Sequence, residues 1–242
     1  MATVAQRPLE ARADLRPFQA RVLLQPIAAP SVLGYFALAS ALIMYGSWFA
    51  GGWGDAKSPQ TFFPFLLLFG GVGQFAAAMW SYRARNAVAA ALHGSWAAFW
   101  LGISVIYLLA TTKTITVPPP GAHWGSLGQW FIYMAVVTWT TALAALARSP
   151  GGFLAQATLA TAATIAAPAL LTGSAGWTHV AGWMMVAAAA ATFYMGAAEM
   201  LDNVYGVVVL PLLHRRGGNR PGSRPAEPIQ FPHGDPGVKV GQ

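Results

Sequence analysis

Charged positions are so sparse along the body of this chain that the gaps between them define its elements. No Asp, Glu, Lys or Arg occurs from Ser58 to Tyr82, from Asn86 to Thr112, from Thr114 to Ala147, or from Ser149 to Ala198. A helix that crosses a bilayer needs about 20 predominantly apolar residues, because it must satisfy its own backbone through the hydrocarbon. Each uncharged run is long enough for at least one crossing. Gly, Pro and basic punctuation divides the apolar mass into six spans. They cover residues 32–50, 61–81, 87–111, 127–147, 153–171 and 178–201. The breaks between them include Gly51-Gly52-Trp53-Gly54, Arg83-Ala84-Arg85-Asn86, Pro118-Pro119-Pro120 and Arg148-Ser149-Pro150. The expected fold class is all-α, a polytopic membrane protein with six transmembrane helices.

Composition agrees. Only 9% of the 242 residues are charged, against about 25% in a soluble domain, so the apolar excess belongs to lipid rather than to a large soluble core. The net charge of +7 has a definite placement. With the N-terminus inside, one side collects Arg7, Arg12, Arg16, Arg21, Arg83, Arg85, Arg148, Arg215, Arg216, Arg220 and Arg224, and the other holds Lys57 and Lys113. The positive-inside rule then places both termini in the cytoplasm of a multi-pass inner-membrane protein. Because the basic residues flank spans, a nucleic-acid partner is not expected. Residues 1–28 read as an Arg-rich cytoplasmic lead without a signal-peptide pattern. Residues 29–212 form the membrane domain, and residues 213–242, rich in Gly, Pro and Arg, form a tail expected to be disordered.

Several chemistries are excluded. The chain has no Cys, so disulfides and thiolate metal sites are ruled out, and no second His stands at ligand spacing from His93. No Gly-rich phosphate loop with Lys-Ser/Thr suggests an ATP-driven pump. His93 and Ser95 flank Gly94 on one helix and point too far apart for a nucleophile–base pair. The protein is therefore expected not to be an enzyme, and no cofactor or metal is proposed.

Small residues repeat at four-residue spacing, Gly94, Ala98 and Gly102 on the third span and Ala188, Thr192 and Gly196 on the sixth. Such stripes let helices approach closely in lipid, here read first as packing within one subunit and second as a subunit interface. The fifth span, with Thr158, Thr161, Thr164 and Pro168 among alanines, reads as a buried helix. Gln74, His93 and Gln156 are the notable polar residues within spans. Gln74 is either a hydrogen-bond partner for a neighbouring helix or a pore-lining amide, and His93 either a neutral structural imidazole bonded to a backbone carbonyl or a proton relay. Glu199, Asp202 and Asn203 share one helical face near the cytoplasmic end of the sixth span. Their carboxylates either accept bonds from Arg83, Arg85 or nearby backbone N–H groups, or act as a gate or proton-coupling group at the inner mouth.

Three blocks of residues resemble the acetate uptake transporters, the SatP/YaaH acetate–succinate transporter family. Ala29-Pro30-Ser31-Val32-Leu33-Gly34 is similar to the family's Asn-Pro-Ala-Pro-Leu-Gly at the start of the first span, with Pro30, Leu33 and Gly34 matching. Gly70-Gly71-Val72-Gly73-Gln74 through Asn86 to Phe99-Trp100-Leu101 is similar to the second block, with Trp96 at a Tyr position and Ser81 at a Glu position. Ala181-Gly182-Trp183, Tyr194, Glu199, Tyr205-Gly206 and Val209-Leu210-Pro211 resemble the family's ending. The resemblance implies a six-helix protomer in a homo-oligomer, a hexamer, that moves acetate and related small carboxylates such as succinate, with protons as a coupled partner. It also implies a pathway through each protomer narrowed by apolar side chains that include Leu38 and Trp96. Pro30, Ser31, Leu33, Gly34, Leu38, Gln74 and Trp96 are the resulting pathway candidates, and Asn86, Glu199, Asp202 and Asn203 the inner-mouth structural or gating candidates. The first span's N-terminal N–H groups suit an anion, and a Leu38–Trp96 waist would favour a small, partly desolvated solute. The departures at Ala29, Ser81 and Trp96 leave open a non-transporting membrane sensor or scaffold, and a channel for neutral solutes is a third reading.

Overall fold

In a computed structural model of the chain, residues 27–212 are described; nearly all of the Arg-rich lead and all of the tail lie outside them. Six helices, all long and apolar enough to cross a membrane, account for the spans: α1 Pro30–Phe49, α2 Pro59–Arg83, α3 Ala87–Thr111, α4 Gly125–Leu146, α5 Pro150–Thr172 and α6 Ala175–Tyr205. Their starts follow from local sequence. Pro30, Pro59 and Pro150 occupy first-turn positions where a missing N–H costs nothing. Asn86, Ser149 and Ser174 accept first-turn N–H groups of α3, α5 and α6 through their side chains.

The largest departure from the hydropathy pattern is at the end of α6. It runs past Glu199 and Asp202 to Tyr205, where Gly206 stops it in the left-handed conformation. The Asn203 side chain donates to the carbonyl of Glu199 at 2.7 Å on this last stretch, so the acidic turn is continuous helix rather than a frayed end. Beyond Gly206 the chain folds back. The Tyr194 hydroxyl donates to the carbonyl of Pro211 at 3.0 Å, Ser149 bonds the carbonyl of Leu212, and Leu212 is buried.

Helices that follow one another pack as neighbours, α6 returns to α1, and α1 also touches α3. The result is a closed ring. Its closing seam is built on glycine. A Cβ on Gly182 of α6 would lie 2.2 Å from the backbone nitrogen of Ala50, and one on Gly46 of α1 would lie 2.6 Å from the Met185 Cβ. Farther along the same seam Ala188, Thr192 and Gly196 are all buried, and Gly196 faces Phe36 and Tyr35. The packing reading of the sixth-span stripe therefore holds. For the third-span stripe it holds only at Gly94, which packs against Ala78 of α2. Ala98 and Gly102 are exposed, and a Cβ on Gly102 would meet nothing within 4 Å, because that face of α3 points out of the ring.

α2 is helical throughout but widens to a π-helix from Leu66 to Gly73. Pro64, inside the helix, removes one i→i−4 bond just before the widening. The glycines then let neighbours in: Cβ atoms on Gly70 and Gly71 would sit 2.9 Å from the Ala41 Cβ and 2.6 Å from Leu101 Cδ2. α5 has one of the most buried windows of the six spans. Thr158, Thr161 and Thr164 turn their hydroxyls back onto carbonyls of their own helix, and Thr164 also accepts from the Trp139 indole at 3.1 Å.

The α2–α3 turn, the α4–α5 turn, the start of α1 and the end of α6 lie at the end of the ring that carries Arg83, Arg85 and Arg148. At the opposite end the loop after α1 is tightened by Asp55, whose carboxylate accepts from the backbone N–H of Lys57 at 2.9 Å and from the Ser58 hydroxyl at 3.1 Å. These bonds to the charged form hold its carboxyl below the usual range.

Candidate solute pathway

At the Arg-bearing end α1 begins at Pro30, and no side chain caps its first turn. Uncapped first-turn N–H groups carry partial positive charge. Ser31, in that turn, is buried and donates its hydroxyl to Glu199 Oε2 of α6 at 2.5 Å. For Glu199 the sequence offered Arg83, Arg85 or backbone N–H groups as donors. The observed donor to Glu199 is Ser31, because closing the ring lays the end of α6 against the start of α1. Arg148, from the α4–α5 turn, is also bonded at this mouth. Its Nη1 donates to Asn86 Oδ1 at 3.0 Å, and the same oxygen accepts the Ala89 N–H that caps α3, at 3.2 Å.

One turn into α1, Gly34 faces α3. A Cβ there would lie 2.5 Å from the His93 imidazole, so the glycine is what seats the ring. His93 and Gln74, from α3 and α2, are fully buried and touch through Nδ1 and Oε1 at 3.4 Å. The ring of Tyr35 meets the imidazole edge-on, with centroids 5.1 Å apart. His93 Nε2 and Gln74 Nε2 have no hydrogen-bond partner. The amide thus meets a neighbouring helix, as one reading of Gln74 expected. For His93 the contact is that side-chain amide rather than a backbone carbonyl.

A second turn deeper, Leu38 of α1 and Trp96 of α3 are fully buried in the apolar core. The Trp96 indole N–H donates to the Thr138 hydroxyl of α4 at 3.1 Å. Beyond Trp96 the same face of α3 carries Trp100, Ser104 and Tyr107. Ser104 donates to the carbonyl of Phe63, the Tyr107 hydroxyl to that of Tyr45 at 3.4 Å, and Trp100 Nε1 is without a partner. His93, Trp96, Trp100, Ser104 and Tyr107 are spaced so that they fall within one face of a helix. From His93 to Tyr107 this buried, polar-tipped row covers about 21 Å of helix. On α5, Gln156 is also buried, with its Oε1 unpartnered.

Leu33 lies elsewhere. It is 43% exposed and lines an open apolar groove of about 420 Å³ with Pro30, Ala77 and Trp80, between α1 and α2. Successive helical residues turn by about 100°, so Gly34 and Leu38 face inward while Leu33 faces out. At the mouth Asp202 is part-exposed and Asn203 exposed.

The pairings Ser31–Glu199, Asn86–Arg148 and Gln74–His93 could not be read from the chain, because each joins separate helices. The α3 row does carry a signal in the sequence, polar-tipped residues at helical spacing, of which His93 and Trp96 stand out while Trp100, Ser104 and Tyr107 blend into the apolar span.

A closed ring of six helices long and apolar enough to cross a membrane, with a polar cluster at one end and a buried row of polar tips down one helix, defines an α-helical integral membrane protein. The model of the GPR1/FUN34/yaaH family matches residues 12–214, and the chain belongs to that family. Among solved structures it is similar to the bacterial acetate channel SatP, with a TM-score of 0.68 and 23% identity over 77% of this chain and 99% of that one. No curated protein matches it significantly.

Proposed function

We propose that this protein is a channel or transporter for acetate and related small carboxylates, with a pathway through the centre of each protomer. The observation that carries the reading is the α3 row from His93 to Tyr107. Lipid offers a carboxyl group no hydrogen-bond partners, and a line of buried donors and acceptors across most of the span supplies them in steps. Family membership and the likeness to an acetate channel support the substrate class. The solute enters past Ser31, Glu199, Asn86 and Arg148 at the cytoplasmic mouth, passes Gln74 and His93, and is narrowed at an apolar waist of Leu38 and Trp96. Leu159, a fully buried leucine on α5, is the α5 residue we assign to that waist. Transport is proton-linked, succinate is a candidate second substrate, and the protomers assemble as a homohexamer. The outward-facing Ala98 and Gly102 supply one close-approach surface for that assembly.

The test is uptake of labelled acetate into proteoliposomes against protein-free vesicles, with acetate and pH gradients imposed separately. Protein-dependent flux that competing propionate reduces is expected. No flux above the lipid background at any pH would defeat the reading.

A further inference from the structure

We propose that His93 and Gln74 form a receiving station for the protonated carboxylic acid, so that a solute held there carries its proton with it. This rests on the carboxylate-pathway reading and assigns the step at which the proton joins.

The argument is a count of donors and acceptors. His93 and Gln74 are fully buried on facing helices and bonded to each other. Suppose His93 Nδ1–H donates to Gln74 Oε1. A neutral imidazole then keeps a bare acceptor at Nε2, and Gln74 keeps an N–H donor. If the amide is turned over, its N–H donates to Nδ1, His93 Nε2–H becomes the remaining donor, and Gln74 Oε1 the remaining acceptor. Either assignment leaves at least one donor and one acceptor unmet. Buried polar groups without partners are costly, so the pair favours a guest that offers the complementary set. A carboxylate offers acceptors alone. A carboxylic acid offers an O–H and a C=O. An imidazolium holding a carboxylate is the same state with the proton moved from oxygen to nitrogen.

The surroundings fit a neutral guest. Tyr35 of α1 meets the imidazole edge-on, α2 contributes the amide, and Trp96 and Thr138 toward α4 are uncharged. The charged groups bonded at the mouth are Glu199 of α6 and Arg148 of the α4–α5 turn. Gly34 holds the ring in place by offering no Cβ. The station therefore lies between a charged mouth, where an anion is stabilised, and the Leu38–Trp96 waist, where one is not.

Acetate binding to the purified full-length protein in detergent, followed by saturation-transfer NMR, tests this. Each pH unit lowers the neutral-acid fraction tenfold. The apparent Kd for total acetate should therefore rise about tenfold per unit from pH 6 to pH 8, with up to one proton taken up per acetate bound in weakly buffered solution. His93→Phe should weaken binding at least tenfold while leaving the melting temperature of the protein close to that of the parent. His93→Gln, which keeps a donor and an acceptor, should restore part of it. A pH-independent Kd without proton uptake, the result if water alone satisfies the pair, would overturn the station and leave acetate flux intact. Flux without detectable binding would overturn it too. Absence of flux from the parent protein would instead strike the transport reading.

Discussion

Ser31, in the first turn of α1, donates its hydroxyl to Glu199, 168 residues away near the end of α6, at 2.5 Å. This single bond ties the first helix to the last across the seam that closes the ring. It also explains how a carboxylate is tolerated at the end of an apolar helix, since a buried polar group is retained when it is hydrogen-bonded.

A bond to a carboxylate is worth about 1.5–3 kcal/mol, and a charged group stripped of its partner costs more than the bond itself. Ser31→Ala and Glu199→Ala should each lower thermal stability in detergent, and the double variant should lose less than their sum. The coupling expected from the cycle is about 1.5–3 kcal/mol. Asp202→Asn, at a part-exposed position, should change both stability and acetate flux less than Glu199→Gln does. Strict additivity in the cycle would mean that the bond does not hold the seam.

Asn86 does two jobs with one oxygen, accepting the Ala89 N–H at 3.2 Å and the Arg148 guanidinium at 3.0 Å. Asn86→Ala loses the α3 cap, about 1 kcal/mol, and releases Arg148 as well. Asn86→Asp keeps an acceptor for both and should be close to neutral in stability. Arg148→Gln should leave the cap in place and lower the rate of acetate entry more than stability, since it removes the guanidinium bonded at the mouth. Thermal melts separate the first two variants, and initial uptake rates report the third.

Gly182 and Gly102 look alike in the sequence, each a glycine within an apolar span, and the structure separates them. A Cβ at Gly182 would meet backbone atoms of Ala50 and Gly46 at 2.2 and 2.6 Å, and backbone cannot swing aside. Gly182→Ala should therefore force α1 and α6 apart and reduce the yield of folded protein severely. Gly102→Ala should be tolerated within about 0.5 kcal/mol, as are surface substitutions that touch nothing. Gly102→Leu tests the outer face: the protomer should fold while the oligomer weakens, read as a mass shift in detergent. An unchanged oligomer would remove this stripe from the subunit interface.

Hydropathy made the six helices legible because a bilayer demands long uncharged runs, and their bounds moved by at most four residues. Charge made the Arg-bearing end legible for the same reason. The site was harder to read. Gln74, His93 and Glu199 stood out as polar residues in apolar surroundings, but Ser31 as the partner of Glu199 did not, since only ring closure joins them. The α3 and α6 stripes show the limit most clearly. Their spacing is identical, yet one is buried along its length and the other turns outward after Gly94, and nothing in a period of four says which way a helix is turned.

The waist is the remaining test of the pathway. Leu38 and Trp96 are both fully buried, so the same side chains serve as core and as constriction, and a variant must separate the two roles. Leu38→Ala removes core contacts and should cost about 2–5 kcal/mol, which a melt in detergent will register. If Leu38 also narrows the path, the variant should raise succinate flux relative to acetate flux by severalfold, because the larger solute gains more from added width. Trp96→Phe is the complement. It keeps most of the bulk but loses the indole N–H that Thr138 accepts at 3.1 Å, so it should change the succinate-to-acetate ratio little. A ratio that stays fixed in Leu38→Ala, in protein that still folds, would place the constriction elsewhere along the α3 row, at Trp100 or beyond.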